Sequence, residues 1–454
     1  MMSMPASIQQ YLMRQARDDR RVFVVGACDG IDQVVVIPAL AEKEALFETL
    51  HRLSKNQPSD LGRTLVICVI NNRDEGIADP EDIENNRQTM MLLRALIHGD
   101  RNALSPSFDQ AGELCRQIIS SGLRLAYVDA SSRGMEMPGK GGGVGMARKL
   151  GLDKALSLFD YRSPAKKLLL NLDADAWVEP HYLSAVRHFF ETEKVSAAVV
   201  SYSHRPDQDS ALQAAICCYE IFLRYYILGL GFAGSPYAFH SIGSTMICTP
   251  ESYVAVRGMN RRDAAEDFYF LDKLAKLGPV ARIHATTVYP SGRPSRRVPF
   301  GTGRRMIRFL EERHNEYLLY DPEVFRILKH WLETMAGGVR QETQVILTVA
   351  ARIHPLLRSF LELNRFQEVW PRIQRNHREP DALAKQFHVW FDGFKTMKLI
   401  HYLTEKGFPQ RDMFLALKDI FDMMNIHCPV AMSEKTRSNL AEQMQILNVF
   451  KLMQ

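Results

Sequence analysis

The run from Lys167 to Pro180, Lys-Leu-Leu-Leu-Asn-Leu-Asp-Ala-Asp-Ala-Trp-Val-Glu-Pro, constrains this chain more than any other stretch. Its first half is an unbroken apolar run of strand length, the pattern of a strand buried on both faces of a parallel sheet. It stops at Asp173 and Asp175, one residue apart. In extended chain those side chains point to opposite faces, so both reach one ion only if the strand ends there and the chain turns. Glu179-Pro180 then predicts a helix with Pro at its first position and Tyr182, Leu183, Val186, Phe189 and Phe190 on one stripe. Acidic residues at the carboxyl end of a buried strand lie where open α/β sheets bind ligands. Two hard oxygen donors there suit Mg²⁺ or Mn²⁺ together with a phosphate. A solvated turn is the alternative for Asp-Ala-Asp taken alone, because Asp is a common turn residue.

Size leaves room for a large core. The chain has 454 residues, 46% hydrophobic and 24% charged, which is roughly two to three domains' worth, or one large domain with a helical appendage. A net charge of +5 is too mild to argue for nucleic acid. The basic residues are scattered apart from Arg293, Arg296, Arg297, Arg304, Arg305 and Arg308. Seven cysteines without metal-type spacing fit a reducing compartment and packing roles. Met1 to Arg21 lacks an apolar signal core, so the expected location is cytoplasmic. Ala214 to Ala233 has the length of a membrane span, but Glu220 and Arg224 fall inside it at i and i+4, where a helix pairs them. A buried or acceptor-facing helix is the expectation there.

In chain order, a short polar helix is expected over residues 1–20, then strands at Arg21 to Val25 and Gln33 to Leu40. A helix follows from Glu42 to Leu53, and another buried strand runs from Arg63 to Ile70. An insertion over residues 77–122 opens with Asp79-Pro80-Glu81, a helix cap followed by Pro and acid, so it reads as helical. Further strands are expected at Leu123 to Val128, Val195 to Tyr202, Ser244 to Cys248 and Val280 to Tyr289, with helices from about Gly145 and Ala265. Strands alternating with helices argue for an α/β fold with a mostly parallel sheet flanked by helices. From Arg304 on the pattern is helical. Val324, Leu328, Trp331 and Met335 form one stripe, and Leu440, Met444, Leu447 and Lys451 continue that spacing. The expected division is a catalytic domain over residues 1–303 and a helical C-terminal region over 304–454.

The strand ends carry motifs in a fixed order. The first ends in Ile37-Pro38-Ala39-Leu40-Ala41-Glu42, the second leads to Asp74, and the third to Gly139-Lys140-Gly141-Gly142-Gly143 ahead of Ala147-Arg148-Lys149. The fourth carries Asp173-Ala174-Asp175, and a late helix opens with Glu266-Asp267. In order and type this resembles family 2 nucleotide-sugar glycosyltransferases of the GT-A, Rossmann-like fold, over about residues 31–305. The resemblance implies that Pro38, Ala39 and Glu42 border the nucleotide, and that Asp74 bonds the base or ribose. It implies that Lys140 and Arg148 meet the diphosphate or ribose, and that Asp173 and Asp175 hold a Mn²⁺ or Mg²⁺ ion. The Gly run would let backbone N–H groups approach an anion at a helix N-terminus. Asp267, with Glu266 beside it, is implied as the base that deprotonates an acceptor hydroxyl, giving inversion. Arg304 and Arg305 would close over the donor. The sequence departs from the family pattern at Leu40-Ala41, at Lys149 and at Tyr289-Pro290-Ser291, leaving His284 as the candidate third metal ligand. The implied partners are a nucleotide-sugar donor and an acceptor that is a glycan, a small molecule or lipid-linked, with peripheral membrane contact.

Two rival readings share these residues. Gly134-Met135-Glu136-Met137-Pro138-Gly139-Lys140-Gly141 matches the phosphate-binding loop of nucleoside triphosphatases, although Gly141 stands where a Mg²⁺-ligating Ser or Thr belongs. A non-catalytic sugar-nucleotide-binding scaffold is the third reading. Intact Asp173, Asp175 and Asp267 argue against it.

Overall fold

The structure is a computed structural model that describes residues 4–15, 21–73, 78–101, 110–139, 141–262, 264–296 and 301–453. By contact the chain divides into two compact units. The first holds residues 1–205, 241–292 and 296–301; the second holds 206–240, 293–295 and 302–454.

The first unit is built on one nine-stranded sheet. Its strands are β1 (Phe23–Val25), β2 (Gln33–Ala39), β3 (Thr64–Asn71), β4 (Arg124–Ala130), β5 (Leu168–Asn171), β6 (Trp177–Val178), β7 (Ala197–Tyr202), β8 (Met246–Cys248) and β9 (Val280–Tyr289). They lie in the order β1-β4-β3-β2-β5-β8-β7-β9-β6. β2, β3, β4, β5, β7 and β9 run one way, while β1, β8 and β6 run against them. The sheet is therefore mostly parallel, as the alternation of strands and helices predicts. Every residue of β2 and β3 is buried, which is why both read as Val- and Ile-rich, near-continuous apolar runs.

β2 is the pivot of this sheet. It pairs in parallel with β3 on one side (Ile37 opposite Cys68) and with β5 on the other (Val36 opposite Asn171). The chain order therefore reverses between β2 and β5, and the carboxyl ends of those two strands frame the crevice where such sheets take ligands. Helix Val144–Ala155 crosses the back of β2 and β3. It lies so close at Gly151 that an added methyl group would strike Val36 and Val69.

Two boundaries differ from the sequence expectation for identifiable reasons. The helix after the Asp pair starts at Tyr182, not Pro180. Glu179 is engaged instead with β9, accepting from Thr286 Oγ1 (3.1 Å), Thr287 N (3.0 Å) and Tyr289 Oη (3.0 Å). That tether creates β6, whose Trp177 and Val178 pair with Tyr289 and Val288. The N-terminal helix, Ala6–Gln15, is not merely polar, since Ile8 and Tyr11 are buried. Tyr11 donates to Asp153 at 2.9 Å.

The second unit is almost all helix, with one short pair of strands, Leu318–Leu319 and Arg411–Asp412. Asp321 caps helix Pro322–Gly338 by accepting from Glu323 N, and Val324, Leu328, Trp331 and Met335 are buried as their spacing predicts. The last helix, Leu440–Met453, buries Gln443, Ile446, Leu447 and Phe450, whereas Met444 is exposed. Its inner face is thus turned from the expected stripe, and Lys451 lies 3.7 Å from Glu220. Ser210–Phe232 is long and apolar enough to cross a membrane, yet two-thirds of its apolar window is buried within the protein. Glu220 and Arg224 pair at 2.8 Å, as expected. This helix belongs by contact with the C-terminal helices, whereas the expected division at residue 304 leaves it in the catalytic part.

Candidate active site

The chain turns where the sheet requires it to. Leu172 N still reaches Val36 O, continuing the β2–β5 ladder, and Ala176 N donates back to Asp173 O at 3.2 Å. Thr49 Oγ1, on the helix after β2, fixes the turn by bonding Ala174 O (2.7 Å) and Ala176 O (3.1 Å). Ala174 and Ala176 are buried, and Asp173 and Asp175 alternate with them at intermediate exposure. Both carboxylates thus sit at the carboxyl end of β5, beside the end of β2.

Arg148, on helix Val144–Ala155, reaches the same place from beneath. Its side chain is only 2% exposed. Nη2 contacts Asp173 Oδ1 at 2.5 Å, and Nε contacts Glu266 Oε1 at 3.2 Å. A guanidinium stays charged at any relevant pH, so burying it requires anionic partners. Arg148 therefore does not project into the crevice as a diphosphate ligand would. It ties the acid of the β5 turn to the acid at the start of helix Glu266–Ala275. Two glycines permit this: a methyl group at Gly243 would strike the Arg148 guanidinium, and one at Gly145 would strike the carbonyl oxygens of Asn260 and Arg262. The glycine run thus brings helix and loop into contact. Gly142 closes against the Pro138 carbonyl in the same way.

Ala265 precedes Glu266 in the left-handed region, at φ 58°. Glu266 is buried and Asp267 half-buried. Burial raises the Glu266 carboxyl above its ordinary value, with Arg148 opposing. Burial and then the Glu266 charge push Asp267 up to about 7, against a 2.7 Å hydrogen bond from Phe268 N and the attraction of Arg148. The position at a helix N-terminus alone argues for a low value. Desolvation and the neighbouring acid outweigh it here. An Asp with a pKa near neutrality is matched to general-base work.

The other sequence candidates divide sharply. Pro38 and Ala39 are buried within β2, while Glu42 is partly exposed at the start of helix Lys43–Leu53. Asp74 and Lys140 lie outside the described residues. His284 is exposed on β9. The β9 residue facing the Asp turn through β6 is Tyr289, and the intervening strand spans roughly 15 Å. Among the described residues no three His, Cys, Asp or Glu side chains come together as a metal-ligand set, so His284 does not complete a site with Asp173 and Asp175. Arg304 and Arg305 belong to the second unit. Arg305 is engaged with Glu316 at 2.8 Å and lies 4.7 Å from the Phe222 ring centroid.

Sequence reasoning missed Thr49 and Asn86. Asn86, from the inserted helix Pro80–His98, accepts from Ala41 N at 2.9 Å and donates to Asn71 O (3.0 Å) and Ser131 Oγ (3.1 Å). Its only sequence signal is the amide-rich stretch Asn85-Asn86-Arg87-Gln88 on a segment that reads simply as helical.

No family model matches the sequence, and no curated protein matches it. Among solved structures, the chain is similar to residues 1–349 of TarS from S. aureus in complex with UDP-GlcNAc. That likeness has a TM-score of 0.34 and 13% identity, over 93% of this chain and 90% of that one. It is also similar to the mannosyltransferase PcManGT from Pyrobaculum calidifontis in complex with GDP-Man and Mn²⁺. There the TM-score is 0.34 with 15% identity, over 98% of this chain and 94% of that one. Likenesses this distant assign no role to any residue of this chain.

Proposed function

We propose that this protein is a GT-A-type, metal-dependent glycosyltransferase that moves a hexose from a nucleotide-diphosphate sugar to a hydroxyl acceptor with inversion. The observation that carries the reading is the meeting of four groups at the reversal point of the sheet. Asp173 and Glu266 are bridged by Arg148, and Asp267 beside them has a pKa near 7. Asp267 would take the acceptor O–H proton as the acceptor oxygen bonds the anomeric carbon and the bond from that carbon to the diphosphate breaks. The two half-buried carboxylates, Asp173 and Asp175, fit a Mg²⁺- or Mn²⁺-type ion, which needs only one or two protein ligands and takes the rest from phosphate and water. Such an ion would neutralise charge on the departing diphosphate. The acceptor is a glycan, a small molecule or a lipid-linked sugar, met in the cytoplasm or at a membrane surface.

The triphosphatase reading fares worse on geometry. Helix Val144–Ala155 starts behind a cap at Gly143, three residues past Lys140, whereas a phosphate-loop lysine opens the helix itself. A thermal-shift panel of UDP-, GDP-, ADP-, CDP- and dTDP-sugars, with and without Mn²⁺, tests the proposal alongside ATP and GTP. Stabilisation by one sugar-nucleotide family that grows with Mn²⁺ is expected. Preference for ATP or GTP with hydrolysis would overturn it.

A further inference from the structure

We propose that Asn86 is a positioning residue for the donor, clasping the turn after β2 into its binding shape. The inference rests on the glycosyltransferase reading above and adds a role for the inserted helix Pro80–His98, which otherwise has none in the site.

Asn86 is 1% exposed and uses both ends of its amide. Its oxygen accepts from Ala41 N, just past β2. Its nitrogen donates to Asn71 O at the end of β3 and to Ser131 Oγ just past β4. One side chain thus joins the carboxyl ends of three adjacent parallel strands. Its neighbours reinforce the hold on the same turn: Asn85 Oδ1 accepts from Lys43 N at 3.1 Å, and Gln88 Oε1 accepts from Lys43 Nζ at 2.9 Å.

The turn so held is under backbone strain. Ala41 has φ 51°, in the left-handed region that a residue with a Cβ occupies only at a cost. Such strain persists where the surroundings over-determine it, and it clusters at ligand sites. Here the surroundings are Asn85, Asn86 and Gln88. The strained residue immediately precedes Glu42, at the end of β2 that borders the crevice. A left-handed Ala41 sets the direction in which Glu42 leaves the sheet, so the clasp governs where the donor-side wall stands. Asn86 touches neither the reacting atoms nor the three acids, and its effect is expected on donor binding and not on the chemical step.

The test uses the full chain, with UDP, GDP and the other nucleoside diphosphates as probes and steady-state transfer as the second readout. Asn86→Ala should raise donor KM and the diphosphate Kd by at least about tenfold, with kcat for the folded fraction changed less than about threefold. Asn85→Ala, a milder change at a half-exposed position, should raise donor KM in the same direction and keeps the test open if Asn86→Ala folds poorly. A merely structural role would lower the melting temperature and the active fraction while leaving KM unmoved. Unchanged donor KM in both variants overturns the positioning role alone. A wild-type protein that binds no nucleoside diphosphate overturns the glycosyltransferase reading and this role with it.

Discussion

Replacing Arg148 by Met keeps the volume of a long side chain and removes the charge that links Asp173 to Glu266. Asp173 reaches solvent, so its loss of a partner should matter little, on the order of 0–1 kcal/mol. Glu266 does not reach solvent, being 5% exposed. Left without Arg148 it will bind a proton instead of remaining a buried anion. The substitution then costs at most what it takes to protonate a carboxyl whose ordinary value is 4.5, because burial already holds it above that value in wild type with Arg148 opposing. At 1.36 kcal/mol per pH unit, that upper bound is about 3 kcal/mol at pH 7 and under about 1 kcal/mol at pH 5. The sign follows from the raised folded-state value: the folded variant binds the proton more tightly than the unfolded chain. Relative to wild type its penalty is therefore small below the wild-type protein's own raised value and grows as pH climbs from there toward the still higher value of the variant. Urea unfolding of wild type and variant at pH 5, 6 and 7 measures the difference directly. A penalty that is the same at all three would show that Glu266 stays ionised or finds another cation, and would refute the clamp.

Asp267→Asn should leave donor affinity near wild type and reduce transfer by at least about a hundredfold. Wild-type kcat should fall as pH drops below about 7, because the base must be unprotonated and its carboxyl is raised to about 7; a flat profile from pH 5 to 8 would place the base elsewhere. Asp175→Ala should abolish the Mn²⁺-dependent part of diphosphate binding in titration calorimetry without lowering the melting temperature, and unchanged Mn²⁺ dependence would remove it from the metal site. Gly243→Ala puts a methyl group against the Arg148 guanidinium; transfer should drop about tenfold or more with little loss of secondary structure by circular dichroism, and full activity would show that Arg148 has room to move.

The architecture was legible because its signals are local and redundant. β2 and β3 announce themselves as fully buried runs, and the inserted helix is capped by Asp79 accepting from Glu81 N, the expected bond. Errors fall where a side chain makes a long-range commitment. Nothing within Glu179-Pro180 says that Glu179 will bind Thr286, Thr287 and Tyr289, more than a hundred residues on. The last helix likewise turns its face to bury Gln443, which donates to Thr436 O at 3.2 Å and Arg437 O at 2.9 Å, and hydrophobic spacing cannot register a buried amide.

The site divides along the same physical line. Asp173, Asp175, Glu266 and Asp267 could be picked out because acids at strand and helix ends are conspicuous in sequence. What each does depends on its neighbours. Arg148 lies in the glycine-to-helix motif where the resemblance implies an anion ligand, yet Gly145 and Gly243 let it sink until it pairs with two carboxylates, Asp173 and Glu266. Asp267 shows the same dependence in its titration. Its place in the first helical turn predicts an easily ionised acid, while the desolvation and the Glu266 charge that raise it exist only once the loop before it has folded against the glycine helix. Ala41 and Ala265 carry the point to the backbone: two ordinary alanines, each preceding an acid, adopt left-handed geometry that nothing in their own sequence requests. For Ala41 a partner that makes this tolerable is Asn86, which arrives from the inserted helix, where none of the motifs that carry the family resemblance lies. The candidate acids are visible as residue types, whereas the groups that hold them in place become visible only through contacts.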